Sequence, residues 1–371
     1  MGQNERERYA RQERLPGFGA AAQARLGAAR VLVIGAGGLG SSIIPALAAA
    51  GVGTIGIVDD DTVELSNLHR QHIHGMADLG RSKVRSASET VAALNPDTRV
   101  MTIEDRLDAT NALDLFADYD LVIDGSDNFP TRYLANDAAA LSGIPLVWGA
   151  VSQYAGQAGL AWADRGPQYR DLFPAPPPPG TVPSCEEGGV LPTVCAVIGS
   201  IMATEAIKVL TGIGAPLIGA VTTFDALSGA FRRIDYGRDP AAEPITGLVD
   251  YELFCGLPSK NPADGAGAEE LTAEELAAEL AGGAPMRLLD VREPWEAEIA
   301  ALPGAVLIPL GELGARVDEL AGGDPIVVYC HHGIRSARAL DLLRSAGIPA
   351  RHLGGGIDAW SRRIDPAMAR Y

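Results

Sequence analysis

A chain of 371 residues carrying a formal net charge of −17 repels polyanions, which excludes nucleic acid or an anionic membrane face as its main partner but leaves a protein partner open. Hydrophobic residues make up 47% and charged residues 21%, an ordinary globular composition with length enough for two or three domains. The four cysteines, Cys185, Cys195, Cys255 and Cys330, form no C-x-x-C pair, so their spacing encodes neither a zinc ribbon nor a disulfide framework.

The charged start MGQNERERYARQERL has no apolar core and is not a signal peptide. Arg6 breaks the myristoylation pattern, and nowhere do eighteen apolar residues run together. A cytoplasmic protein is expected. Residues 5–26 read as an N-terminal helical arm carrying RYARQ, with Arg8, Arg11 and Arg14 close together. By itself this arm is a solvated, charged helix.

Residues 31–34 (VLVI) are too few for a helix and end in glycine, as a buried central strand of a parallel sheet does. Gly35, Gly37 and Gly40 then form G-x-G-x-x-G, with Gly38 inside it, and Ile43, Ile44 and Leu47 follow at helical spacing. Strand, glycine turn and helix together present bare N–H groups to a phosphate. Asp59, closing the next strand (IGIVD), suits a ribose hydroxyl pair. Thus far the motif fits NAD, FAD, SAM and ATP alike.

The following stretch, with Asp59, Asp60 and Asp61 and then Ser66, Asn67 and Arg70, is more polar than a dinucleotide requires. Arg70 and Lys83 are placed to neutralise a departing pyrophosphate. Each alone is more often a surface cation; but lysine occurs only at Lys83, Lys208 and Lys260, so this one is informative. Residues 100–103 and 119–123 read as strands, the second running into DGSDNFPTR. Asp124, Asp127 and Asn128 therefore lie at a carboxyl edge, where open α/β sheets bind ligands. Asp127 can hold Mg²⁺ through water or cap the helix before Tyr133, and the two roles are compatible.

Residues 145–150 are another buried strand, and the proline-rich residues 174–189 an extended crossing segment with Cys185 near its end. Residues 200–210 predict an amphipathic helix stopped by Gly212, with Cys195 a small core residue near its front. The Gly-, Pro-, Ala- and Asp-rich composition of residues 251–267 marks a linker region, with boundaries at 1–258, 259–268 and 269–371. Beyond it, Thr272 and Glu275 form a capping box with Leu271 and Leu276 as its staple, and strands end at Asp290 and Cys330.

Cys330 opens the loop CHHGIRS between a buried strand and a helix. Backbone N–H groups, the positive helix end and Arg335 all favour a thiolate there. The spacing to Arg335 is C-x4-R, one residue short of the C-x5-R phosphate cradle of cysteine phosphatases. The smaller loop suits a terminal sulfur atom, hence a persulfide rather than phosphoester hydrolysis.

Through RYARQ, GAGGLGS, DDDTVELSNLHRQ, GRSKV, DGSDNFPTR, GGVLPTVCAVIGS and EAIKVLTG, the first two-thirds of the chain resembles the ubiquitin-activating-like adenylyltransferases that activate molybdopterin-synthase and thiazole sulfur carriers. Through LDVREPWE, ALPGAVLIPL, CHHGIRS and GGGIDAW, the remainder resembles a single rhodanese domain. The resemblance implies a Rossmann-like doubly wound α/β sheet followed by a smaller α/β rhodanese domain, in a cytoplasmic homodimer. It implies ATP- and Mg²⁺-dependent adenylation of the C-terminal glycine of a ubiquitin-like sulfur carrier, then sulfur transfer to give a thiocarboxylate for molybdopterin or cysteine biosynthesis.

By the same resemblance ATP is contacted at Gly38, Asp59, Ser66, Asn67, Leu68, His69, Arg70, Lys83, Asp127 and Asn128. Arg11 matches an arginine that reaches the neighbouring subunit's site, in place of the solvated reading. Cys330 matches the persulfide carrier, charged from thiosulfate or a cysteine desulfurase, and Cys185 a crossover-loop cysteine that either resolves the intermediate or forms a thioester. One departure stands out: where many relatives place two C-x-x-C zinc pairs, this chain has GPQYRDLFP, with Gln168 and Asp171, and RDPAAEPITGLVDYE. No zinc is expected. Two other readings are a NAD-dependent oxidoreductase joined to a rhodanese-like domain and a non-catalytic scaffold docking a ubiquitin-like protein. Arg70, Lys83 and Asp127 speak against the first, the intact Cys330 loop against the second.

Overall fold

The computed structural model describes residues 3–177, 188–255 and 270–370. Two compact units divide the chain, Met1–Ser259 and Lys260–Tyr371. The expected linker, 259–268, and Cys185 lie outside the described residues.

In the first unit the strands are β1 (Arg30–Ile34), β2 (Thr54–Val58), β3 (Arg99–Ile103), β4 (Leu121–Asp124), β5 (Leu146–Ser152), β6 (Ala155–Ala161), β7 (Ala220–Asp225) and β8 (Ala230–Asp235). They form one sheet in the order β3-β2-β1-β4-β5-β6-β7-β8, parallel from β3 to β5 and antiparallel beyond. Side chains of a strand alternate between faces. Accordingly, Val31 and Val33 join one apolar cluster and Leu32 and Ile34 the other, so both faces of β1 are covered. The chain reverses direction across the sheet between β1 and β4, and their carboxyl ends flank the site.

The N-terminal segment is two helices, Gln3–Glu13 and Gly19–Ala28, rather than one arm. Pro16 and Gly17, the latter at φ 83°, break the run. The first helix is solvated on its charged face only, with Glu7, Arg8 and Arg11 exposed and the opposite face docked. Tyr9 is buried, its hydroxyl accepts from Asn95 Nδ2 at 2.8 Å, and Gln12 Nε2 donates to Ala50 O at 2.9 Å. A Cβ on Gly51 would lie 2.6 Å from the Tyr9 ring, so only glycine permits this docking.

The helix expected over residues 200–210 begins earlier and spans Pro192–Thr211, ending at Gly212 with φ 72°. Its first half is apolar on several sides and so shows no amphipathic period. It is long and apolar enough to cross a membrane, but Val194, Ile198, Met202 and Ala206 pack into the core. Glu205 pairs with Lys208 at 2.5 Å and accepts from Leu217 N.

The composition of residues 251–267 also misled at its start: Tyr251–Phe254 is a helix capped by Asp250. Tyr251 and Cys255 are buried, and the Tyr251 hydroxyl donates to Asp137 at 2.6 Å.

The second unit is a parallel sheet in the order β11-β10-β12-β13-β9, with β9 (Glu270–Leu271), β10 (Arg287–Asp290), β11 (Val306–Leu307), β12 (Ile326–Tyr329) and β13 (Ala350–Leu353). Thr272 and Glu275 make the reciprocal capping box at the start of the helix Ala273–Ala281, and Leu271 and Leu276 are both buried beside it.

Candidate active sites

At the end of β1 the backbone turns at Gly35, φ 88°, whose N–H donates to Val58 O of β2. A Cβ on Gly40 would fall 2.2 Å from Gly35 O, so the turn closes only without side chains. Asp59 is tied into it: Oδ2 accepts from Ala36 N at 2.8 Å and Oδ1 from Asp61 N at 2.9 Å. Burial pushes the Asp59 carboxyl up, with Lys83 opposing. A Cβ on Gly38 would meet Cys195 Sγ at 3.0 Å and the Arg70 stem at 3.6 Å, so the structure brings Arg70 against the turn. Cys195 is buried, as a core residue should be, and its thiol is pushed up by that burial.

Lys83 opens the helix Lys83–Leu94 and is buried rather than a surface cation, with Nζ 2.7 Å from Asp61. Ser66 and Asn67 sit on the short turn Leu65–Asn67. Arg70 Nη1 donates to Ser66 O at 3.2 Å and lies 2.8 Å from His69 Nε2. Burial and the Arg70 charge hold the His69 ring below its usual range. Leu68 is half-buried beside it. Among the described residues, Asp59, Asp60 and Asp61 bring one carboxylate oxygen each within 4.8 Å of one another. Asp59 is committed to Ala36 and Asp61 to Lys83, which leaves little of that trio for an ion.

β4 delivers the other edge of the site, with Asp124 registered opposite Ile34. Asp124 is fully buried, accepting from Ser126 N at 2.9 Å and Ser126 Oγ at 2.5 Å. Next along, Asn128 caps the helix Phe129–Ser142 by accepting from Thr131 N at 2.9 Å. The cap expected of Asp127 thus belongs to its neighbour, and Asp127 is exposed. Arg11 is exposed in the last turn of Gln3–Glu13.

In the second unit Cys330 follows β12 and is buried. Gly333 N–H points at its Sγ at 3.1 Å, and Ser336 Oγ lies at 3.6 Å. The helix Ile334–Ser345 begins there, directing its amide dipoles at the sulfur. The structure places the Arg335 guanidinium on Glu296, at 2.6 and 2.7 Å, so its charge is shared with a carboxylate rather than given to the thiol alone. Glu296 was not singled out in sequence, although it lies inside LDVREPWE. Arg292 of the same motif is fully buried and forks onto Asp290 at 2.8 and 2.5 Å. His331 and His332 stack at 3.9 Å between ring centroids. Burial first, and His332 second, push His331 down to about 4.

A model described as the ThiF family matches residues 9–243. The chain belongs to the ThiF family. A second model, the Rhodanese-like domain, matches residues 272–363, so this ThiF-family chain carries a rhodanese domain after its adenylyltransferase fold. It is 50% identical over 378 aligned residues to the probable adenylyltransferase/sulfurtransferase MoeZ of Mycobacterium tuberculosis, covering 100% of this chain and 96% of the relative. To the sulfur carrier protein adenylyltransferase of Thermus thermophilus it is 51% identical over 265 residues, 68% of this chain and 97% of the relative. The crystal structure of E. coli MccB with ATP superposes with a TM-score of 0.55 at 22% identity, covering 64% of this chain and 73% of that one, a likeness of fold.

ThiF-family adenylylation uses ATP, which agrees with the nucleotide expected at the glycine turn. At the position where many relatives place a zinc pair, Gln168 and Asp171 form the capping box of the short helix Tyr169–Leu172. Asp171 accepts from Gln168 N at 2.7 Å and from Asp239 N at 2.8 Å, so one carboxylate ties the two segments together.

Proposed function

We infer that the protein converts the C-terminal carboxylate of a ubiquitin-like sulfur carrier into an acyl adenylate and then into a thiocarboxylate. The observation that carries this reading is the pairing, in one chain, of a glycine turn braced by Asp59 with Cys330, whose Sγ faces Gly333 N–H at a helix start. The names borne by the relatives, sulfur carrier protein adenylyltransferase and adenylyltransferase/sulfurtransferase, describe the same two steps.

A carboxylate oxygen of the carrier attacks the α-phosphorus of ATP, and the bond to pyrophosphate breaks. The nucleophile is already an anion, so no base is required. Lys83, pre-oriented by Asp61, and Arg70, packed on Gly38, offset the charge growing on pyrophosphate. Arg11 of a neighbouring subunit in a homodimer adds a third cation. Gly38, Asp59, Ser66, Asn67, Leu68, His69 and Asn128 line the nucleotide. Asp127, exposed and free of the capping role, would hold Mg²⁺ through water, which supplies charge neutralisation at the phosphates.

The adenylate carbonyl then has AMP as its leaving group. The terminal sulfur of a Cys330 persulfide attacks it, AMP departs, and an acyl disulfide joins carrier and enzyme. A second thiol attacks the Cys330 sulfur of that bond and releases the carrier thiocarboxylate, leaving an enzyme disulfide for a cellular thiol to reduce. Cys185 is the candidate for that thiol; its alternative is a thioester with the carrier. Cys330 regains sulfur from thiosulfate, releasing sulfite, or from a cysteine desulfurase. Free thiols at Cys195, Cys255 and Cys330 suit a reducing cytoplasm. The test is mass spectrometry of candidate carriers, from molybdopterin and cysteine pathways, after incubation with ATP and thiosulfate. Exchange of one oxygen for sulfur is expected; a carrier terminus that never becomes adenylated would overturn the reading.

A further inference from the structure

We propose that His74 is a positioning residue for the nucleotide, acting through the Ala36 carbonyl inside the glycine turn. This rests on the assignment of that turn to ATP. His74 is the buried histidine of NLHRQHIH; His69 and His72 are exposed. Its Nε2 lies 3.0 Å from Ala36 O and its Nδ1 2.8 Å from Ser86 Oγ, on the helix Lys83–Leu94.

Ala36 is therefore held on both sides. Asp59 takes its N–H, which fixes the Gly35–Ala36 peptide plane. His74 holds its C=O, which fixes the Ala36–Gly37 plane. In a trans peptide the carbonyl and the following N–H point in opposite directions. Anchoring Ala36 O to a buried imidazole therefore turns Gly37 N–H away from the core, toward the open side of the turn where a phosphate binds. The anchor matters because Gly37 imposes almost no steric barrier of its own, so on that side nothing but the anchor restrains the Ala36–Gly37 plane.

A carbonyl only accepts, so His74 Nε2 carries the proton. In the neutral ring Nδ1 is then the acceptor facing Ser86 Oγ, a hydroxyl that the Asp78 carboxylate also engages. Burial, opposed in part by the Ala36 bond, holds the ring below its usual range and suits it to stay neutral.

Isothermal titration of the full chain with Mg·ATP tests this, comparing wild type, His74→Asn and His74→Gln. Asparagine keeps a polar group near Ser86 but withdraws the donor from Ala36. Glutamine places an amide N–H near the Nε2 position. The loss of one donor to a buried carbonyl should weaken ATP binding by about tenfold in H74N, with H74Q within about threefold of wild type. In carrier-dependent pyrophosphate exchange the KM for ATP should rise while that for the carrier stays unchanged, and thiosulfate:cyanide transfer at Cys330 should not move. Nitrogen-15 spectra of the wild type should show the Nε2–H tautomer, a readout that stands even if H74N does not fold. Equal ATP affinity in wild type and H74N, or an Nδ1–H tautomer, would overturn the role of His74 alone. A wild type that binds no ATP would overturn the nucleotide assignment as well.

Discussion

The Glu296 carboxylate grips both terminal nitrogens of Arg335, at 2.6 and 2.7 Å, across 39 residues of sequence. Both side chains are largely buried, at 4% and 13% exposure. The pair fastens the first turn after the Cys330 loop to the helix Pro294–Ile299, so the arginine shapes the loop as much as it charges it. Removing one partner of such a pair strands the other's charge. Glu296→Ala should lower the stability of the second unit by about 3 kcal/mol and cut thiosulfate:cyanide transfer, with ATP–pyrophosphate exchange intact. Denaturant titration alongside both assays checks it; unchanged sulfur transfer would show that the loop holds its shape without the brace.

Cys330→Ala separates the two chemistries. The residue is buried and small, and alanine fills most of its volume. Carrier-dependent exchange should continue at the wild-type rate while sulfur transfer vanishes. Loss of exchange in this variant would refute the division of labour between the two units.

Asp127 and Asn128 are neighbours with different work. Asn128 caps a helix, so Asn128→Ala should cost about 1 kcal/mol of stability. Asp127 is exposed and does not serve as that cap, so Asp127→Ala should leave the unfolding midpoint nearly unchanged yet abolish exchange. Thermal melts read beside exchange assays distinguish them. Wild-type exchange in the Asp127 variant would remove its metal role.

His331 makes the second unit acid-sensitive. Its folded value is pushed from 6.5 down to about 4, chiefly by burial. Between those values the unfolded chain binds a proton that the folded ring refuses, so stability is full above about pH 6.5 and falls progressively as the pH drops toward 4. His331→Gln should flatten that part of the profile. Urea titrations at pH 5 and pH 7 on both proteins measure it; parallel losses would mean another group titrates.

Local signals were legible in the sequence. Val31 to Gly40 spell strand, turn and helix because the apolar run, the positive φ and the close backbone approach each demand particular residue types within a few positions. Thr272 and Glu275 announce a helix start for the same reason. What stayed hidden depends on distant chain. Lys83 could not be told from a surface cation until β2 and the following loop brought Asp61 over it. Glu296 has no meaning without Arg335. Either Asp127 or Asn128 can cap a helix, and only the backbone path decides which does. The early start at Pro192 was masked because Gly199 sits 2.8 Å, by its missing Cβ, from Leu39 O, so this helix is buried on more than one side.

The same logic bears on zinc. Asp171 spends both carboxylate oxygens on backbone N–H groups, those of Gln168 and Asp239, and so fastens together the two segments that a C-x-x-C pair of pairs would otherwise join. A partly exposed carboxylate serving two donors contributes about 1–2 kcal/mol. Asp171→Ala should therefore lower the stability of the first unit by that amount and reduce exchange only through unfolding. Elemental analysis of the purified protein should find no stoichiometric zinc, and a chelator should leave the melting temperature where it was. Zinc at one ion per chain, or a chelator-induced drop in melting temperature matching that of the Asp171 variant, would instead make a metal the fastener, with oxygen and nitrogen ligands in place of thiolates.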